Sequence, residues 1–279
     1  MYSGLHDERN KYANDSVYTA GPANNGFAIP GGLANIENSW MYHATSAAIL
    51  ANSLIRSDSR VDSAKVGITG ISWGGIITSI VIGYDDRFAF AMPVYGCIGL
   101  NGSSATFNSF PDSLSRETWD TVEAMKLSTT PTLFLNSNKD NFFGIDATSK
   151  CSKAVQNSFA AIKNSLPHGQ DYGAKPGELA VFADAVIGKD NQIIKVTQNP
   201  TKGVPVMKFT AGRNVTVNNI KLWYITDLKM SSNSVWDSLV LKANGDTVNI
   251  VYPQNATYCY ATITYNNTLV MSSGLVKLV

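Results

Sequence analysis

Three residues of this sequence have the types and surroundings to act together as nucleophile, base and acid: Ser72, His168 and Asp140. Ser72 stands in Gly70-Ile71-Ser72-Trp73-Gly74, between the β-branched run Lys65 to Thr69 and the apolar run Ile76 to Ile82. In the order strand, sharp turn, helix, a strained turn lifts a serine hydroxyl above the carboxyl end of a parallel sheet. Glycine two positions before and two after the serine spares a β-carbon where strand and helix approach, so Gly70 and Gly74 are both expected to be crowded. Trp73, the next residue, is expected to offer its backbone N–H to a developing oxyanion.

The partners lie just past two further strand-like runs. Asp140 ends the loop Asn136-Ser137-Asn138-Lys139-Asp140, after Pro131 to Asn136, and His168 lies in Leu166-Pro167-His168-Gly169, after Phe159 to Lys163. A histidine so placed takes the serine proton as general base and returns it to the leaving group, while the carboxylate orients the imidazole and stabilises its charged form. The other histidines are worse placed: His6 lies in a polar leader and His43 on a helix before the serine strand. Asp146, which begins a helix, and Asp171, beyond His168, are further acid candidates.

Those loops need a sheet to hold them. A helix is expected from Ser39, a capping residue, to just before Asp58, with Trp40, Ala44, Ala47, Ala48, Ala51, Leu54 and Ile55 on one face. After the serine helix come a buried strand, Phe88 to Tyr95, an irregular stretch over 99–113 and a helix from Leu114 to Lys126. Helices over Asp146 to Val155 and Pro176 to Ile187 flank the strand Phe159 to Lys163. Strands alternating with helices predict a parallel sheet covered on both faces, with active residues on loops at the strands' carboxyl ends.

Two regions depart from that alternation. Residues 1–38 have no sustained period of 2 or 3.6 and read as an irregular leader. From about Lys189 the runs Ile193 to Thr197, Val204 to Thr210, Ile220 to Thr226, Ser238 to Lys242, Thr247 to Tyr252, Ala256 to Tyr265 and Leu269 to Leu278 predict a β-sandwich of immunoglobulin or fibronectin-III type. Its Trp223, Tyr224, Trp236, Tyr258 and Tyr260 are either a sugar-binding platform or, as sandwich strands usually bury them, core. The domains are therefore drawn at 1–38, 39–188 (catalytic) and 189–279 (accessory sandwich).

Bulk properties narrow the partners. With 44% hydrophobic and 15% charged residues and a formal net charge of +1, the chain has ordinary globular composition and no electrostatic reason to bind nucleic acid or an acidic membrane. Cys97, Cys151 and Cys259 form no C-x-x-C pair, and no H-E-x-x-H or Walker-type loop is present, so no metal or other cofactor is called for. The longest apolar run is too short to span a bilayer, and the first ten residues lack the apolar core of a signal peptide.

The segment Trp40 to Ile187 resembles the acetyl xylan esterase, dienelactone hydrolase and prolyl-oligopeptidase-like group of α/β-hydrolases. The resemblance rests on Trp40 to Ala44, Val61-Asp62, Gly67 to Gly75, Asp86 to Phe88, Pro93 to Cys97, Leu135 to Asp140 with Asp146, and Pro167 to Gly169. It implies Ser72, Asp140 and His168 as the triad, with Gln170 standing where relatives often repeat a histidine. It also implies further strands before the Trp40 helix, which residues 1–38 do not supply, so the serine strand is expected at an open edge that a missing segment or a partner chain completes. The function so implied is hydrolysis of a small-molecule or carbohydrate carboxylic ester, such as polysaccharide deacetylation, through an acyl-enzyme. A serine peptidase of prolyl-oligopeptidase type and an inactive carbohydrate- or protein-binding fragment are the alternatives. The compartment stays open, although the accessory module suits an extracytoplasmic or secreted protein.

Overall fold

The structure, a computed structural model, describes residues 25–98, 110–199 and 206–278. Helix α1 (Trp40–Ser57) leads to β1 (Gly67–Ile71), α2 (Trp73–Tyr84) and β2 (Phe90–Val94). Then follow α3 (Ser113–Trp119), α4 (Thr121–Met125), β3 (Thr132–Ser137), α5 (Ile145–Ala154), β4 (Ser158–Lys163), the single turn α6 (Gln170–Gly173) and α7 (Gly177–Val186). Strands β1, β2, β3 and β4 pair in that order, all parallel. Every residue of β3 is buried, as expected of an inner strand covered on both faces.

The serine strand β1 lies at one end of this sheet, with no strand on its outer side among the described residues. An apolar trough of about 360 Å³ runs along it, lined by Ala44, Ala47, Ala48 and Ala51 of α1 and by Ile68, Gly74 and Ile77. The alanine face predicted for α1 is thus only partly covered: Trp40 and Ala44 are buried, whereas Leu54 is 68% exposed.

Several boundaries differ from the sequence expectation for identifiable reasons. Ser39 sits at the N-cap of α1 without making a cap bond; the first amide of the helix, Trp40 N–H, instead donates to Asn25 Oδ1 at 3.1 Å. The leader is not wholly irregular, since residues 33–38 form a 3₁₀ helix and Phe27 and Ile29 are buried; residues 1–24 lie outside the described residues. The single helix expected over 114–126 is two, because Asp120 takes an extended conformation and its Oδ1 accepts Val122 N–H, capping α4. Of the irregular stretch, 99–109 also lie outside the described residues.

Beyond α7 the chain is all β. Strands β5 (Ile194–Asn199), β6 (Val206–Ala211) and β9 (Thr247–Asn249) make one antiparallel sheet. Strands β7 (Val217–Ile225), β8 (Asp237–Val240), β10 (Tyr258–Tyr265), β11 (Leu269–Ser272) and β12 (Val276–Lys277) make the other. The two antiparallel sheets share one buried cluster, with Met207 of β6 and Val248 of β9 alongside Leu222 of β7 and Ile263 of β10, which is consistent with a β-sandwich. The last two strands divide what the sequence read as one run, 269–278. Trp236 and Tyr260 pack edge to face at 5.1 Å in a buried cluster, which makes those two aromatics core.

The sandwich does not stand apart from the parallel sheet. One hydrophobic cluster includes Trp40, Val94 and Leu133 together with Met207, Leu222 and Met271. Ile162 N–H of β4 donates to Ser272 Oγ at 3.0 Å, so the open side of the last parallel strand is met by β11. Glu178, buried on α7, accepts from Lys163 Nζ of β4 and from Val270 N–H of β11.

Two contacts hold the first helices to the sheet and can be tested. A β-carbon at Gly75 would lie 2.7 Å from Gly96 Cα and 2.7 Å from Val94 O, both backbone atoms that cannot swing aside. Gly75→Ala is expected to lower unfolding stability by more than about 2 kcal/mol, read as a shifted urea midpoint at unchanged slope. Asp85, 4% exposed, accepts from Asn52 of α1 and from Arg87. Burial alone would raise its pKa, but the Arg87 and Asn52 hydrogen bonds more than reverse that and hold it below the usual carboxylate value. A depressed folded pKa gives stability that is full above the unfolded value of about 3.9 and is lost as pH falls through the folded value. Asp85→Asn is therefore expected to cost about 1–3 kcal/mol at pH 7 and progressively less below pH 4, measured by urea unfolding across that range.

Candidate active site

The turn between β1 and α2 carries Ser72 with φ 59° and ψ −120°, a left-handed conformation that a non-glycine residue adopts only when its surroundings impose it. The cause is steric and local. A β-carbon on Gly70 would fall 2.1 Å from Gly74 O, so strand and helix backbones touch across the turn. Gly74 differs from expectation: a β-carbon there would meet nothing within 4 Å, because the residue faces the open trough. The second crowded glycine is Gly75, which turns inward against β2. Ser72 N–H donates to Val94 O at 2.9 Å, which ties the turn to the carboxyl end of the neighbouring strand.

Asp140 and His168 come from the loops after β3 and β4. His168 Nε2 lies 3.1 Å from Ser72 Oγ, and His168 Nδ1 lies 2.7 Å from Asp140 Oδ2. The structure thus brings all three sequence candidates into one hydrogen-bonded line. Asp140 is fixed from behind, since its Oδ1 accepts the N–H groups of Phe142 and Phe143, each at 2.8 Å. Its other oxygen is left for the imidazole. The side chain of Asp140 is fully buried and that of His168 17% exposed, so the pair sits in a low-dielectric setting with the histidine reaching towards solvent.

Trp73, the fourth candidate, is the first residue of α2, which places its N–H at the positive end of a twelve-residue helix beside Ser72. Its indole packs on Phe27 at 5.0 Å and edge-on to Trp40 at 5.2 Å. Asp146 lies within the first turn of α5 and Asp171 within α6; the His168 ring pairs with Asp140. His43 lies in α1 with Nε2 against Glu37 O.

Residues that no local pattern singled out complete the surroundings. Tyr95, fully buried just past β2 with φ 49°, donates its hydroxyl to Pro167 O at 3.0 Å, and its ring lies 4.9 Å from that of His168. Burial, and next the charge of Asp140, push the Tyr95 phenol well above its ordinary pKa, so it stays a neutral donor. Phe142 and Phe143 flank the imidazole at 4.8 and 5.6 Å. Asn138 accepts Ser165 N–H at 3.0 Å and donates to Asn164 Oδ1 at 2.9 Å, joining the loops of Asp140 and His168. The three cysteines are buried and free, and no group of metal-binding side chains occurs among the described residues.

Residues 40–166 match the model of the prolyl oligopeptidase family. The parallel four-stranded sheet with its flanking helices fits a partial α/β-hydrolase. Similar solved structures include the acetyl xylan esterase from Paenibacillus sp. R4, at 15% identity over 53% of this chain and 54% of that one, with a TM-score of 0.44. Acetyl xylan esterase 1 from Thermoanaerobacterium sp. JW/SL YS485 is 18% identical over 58% of each chain, also with a TM-score of 0.44. A puromycin-hydrolyzing peptidase of Mycobacterium tuberculosis is 19% identical over 53% of this chain and 26% of that one, again at 0.44. The hydrolase-like region here thus spans about half the length of those esterases and about a quarter of that peptidase. A search of curated proteins finds no match.

The Tyr95 hydroxyl offers a test of how the histidine loop is held. Tyr95→Phe removes the bond to Pro167 O and keeps the ring, and is expected to cost about 1 kcal/mol of stability in denaturant unfolding.

Proposed function

We propose that the protein is a serine hydrolase that cleaves carboxylic esters through an acyl-enzyme on Ser72. The observation that carries this reading is the line Ser72 Oγ, His168 Nε2 and Nδ1, Asp140 Oδ2, with spacings of 3.1 and 2.7 Å. With the imidazole proton on Nδ1, held by Asp140, Nε2 accepts the Ser72 proton as Oγ attacks the ester carbonyl carbon. The carbonyl electrons move onto oxygen, where Trp73 N–H and the start of α2 stabilise the negative charge. Collapse breaks the bond to the alcohol oxygen, which takes the proton from His168 Nε2. Water, deprotonated by the same nitrogen, then attacks the acyl group and releases the acid and the free serine.

Two considerations favour esters. An alkoxide leaves a tetrahedral intermediate far more readily than an amine, so an ester asks less of the oxyanion site. The donor assigned here is one backbone N–H, and a single donor is typically worth about 2.7–4 kcal/mol of transition-state stabilisation. Acetyl groups on polysaccharide are the substrate class we place first, with the sandwich as an accessory module. The match of residues 40–166 to the prolyl oligopeptidase family supports a second reading, peptide-bond hydrolysis by the same three residues.

Fluorophosphonate labelling followed by peptide mapping tests the chemistry, with Ser72→Ala and His168→Gln as controls. The expected outcome is modification at Ser72, none in Ser72→Ala, and a loss of about 10⁴-fold or more in hydrolysis for either variant. Aryl acetates and acetylated xylan assayed beside peptide anilides separate the readings; turnover of the anilides alone would replace esterase by peptidase. Saccharide binding undiminished in Ser72→Ala, with no label in the wild type, would favour a binding protein instead.

A further inference from the structure

The loop that carries Asp140 is held on its outer side by the C-terminal β-sandwich. Lys139, the residue before Asp140, donates from Nζ to Ser234 O at 2.7 Å. That carbonyl belongs to a closed turn before β8, in which Ser231 N–H donates to Ser234 Oγ and Ser234 N–H to Ser231 O. Ser234 is 3% exposed, so the acceptor is anchored rather than free to follow the lysine. At the other end of the loop, Ile145 begins α5 and packs in one buried cluster with Ile225, Met230, Trp236, Tyr260 and Leu275, all from the sandwich. One turn further on, Leu275 N–H donates to Ser149 Oγ at 2.7 Å.

We infer that the sandwich is a positioning element of the Ser72–His168–Asp140 line, with Lys139 as the positioning residue, an inference that rests on the proposed role of Ser72. The loop between β3 and α5 is clamped at Lys139 and at Ile145, and Asp140 lies between the two clamps. Its Oδ1 is held by Phe142 and Phe143 amides within the clamped stretch, so the direction of Oδ2 towards His168 follows the position of that stretch. A carboxylate displaced by a fraction of an ångström orients the imidazole less well, and small misplacements of this kind slow the chemical step more than they weaken binding. A binding module tethered for substrate capture alone would need none of these contacts.

The test uses the full-length chain with Lys139→Met, which keeps an unbranched stem of similar packing, and Lys139→Arg, which restores a donor. Fluorophosphonate inactivation is followed as a function of inhibitor concentration, thermal midpoints are measured, and amide exchange at Phe142 and Phe143 is read by NMR. In Lys139→Met the expected result is an inactivation rate at saturation lower by about tenfold, with the half-saturating concentration unchanged and the midpoint lower by about 2–4 °C, as loss of one hydrogen bond entails. Exchange at both amides rises, and Lys139→Arg recovers most of each change. Unchanged exchange in Lys139→Met overturns the inference whether or not Ser72 reacts. Faster exchange with an unchanged saturating rate also overturns it, since the loop would then be braced without orienting the line. A wild type that takes no label at Ser72 fails the hydrolase reading itself, and is told apart because the exchange result still reports on the brace.

Discussion

The contact on which this structure turns is the approach of two backbones across the Ser72 turn. Because Gly70 has no β-carbon, the chain leaves β1 and enters α2 with Gly74 O almost against it, and Ser72 is left with a positive φ. That strain is held by ordinary forces on both sides: the Ser72 N–H bond to Val94 O, and the contact of Gly75 with Gly96. Parallel pairing of β1 through β4 then places the ends of β3 and β4 on the same side as the turn. Asp140 and His168 are within reach of Ser72 only because all of these strands run the same way.

Around that line the surroundings are mostly apolar and tightly filled. Three aromatic rings, from Tyr95, Phe142 and Phe143, lie against the imidazole of His168, limiting the orientations it can adopt. Two buried polar connections, Tyr95 to Pro167 and Asn138 to Ser165, tie the histidine loop to its neighbours. Packing and hydrogen bonds of this sort hold the Ser72, His168 and Asp140 side chains in one geometry, as the proposed chemistry requires. The two ends of the parallel sheet are treated differently. At β4 the sandwich meets the strand through Ser272, and Glu178 of α7 bridges Lys163 of β4 to Val270 of β11, whereas β1 faces an apolar trough.

Much of this was legible in the residue order. Gly-x-Ser-x-Gly between a β-branched run and an apolar one announces a turn whose geometry is set within five residues, and β3 and β4 begin and end close to where their apolar runs do. The cap of α1 was not legible, because Ser39 is the residue that local rules favour while the acceptor, Asn25, lies fifteen positions away from Trp40. The break at Asp120 was missed for the related reason that a capping aspartate within a helical pattern competes with the helix from inside. Gly74 misled because spacing cannot say which side of a turn is crowded; that depends on what packs there, and the trough leaves it open.

The sequence by itself determined the chemistry on offer: a serine in a strained turn, an aspartate and a histidine each just past a strand, and a change from alternating strands and helices to strands alone near residue 189. Those are properties of short stretches, governed by backbone sterics and hydrophobic period. Tertiary structure decided what joins them. The tyrosine that holds the histidine loop, the asparagine that links two loops, and the lysine by which the sandwich reaches the loop of Asp140 all act on partners 27 to 95 positions away. No local rule encodes such pairs, because each exists only once the sheet order and the packing of the sandwich against β4 have set which surfaces meet.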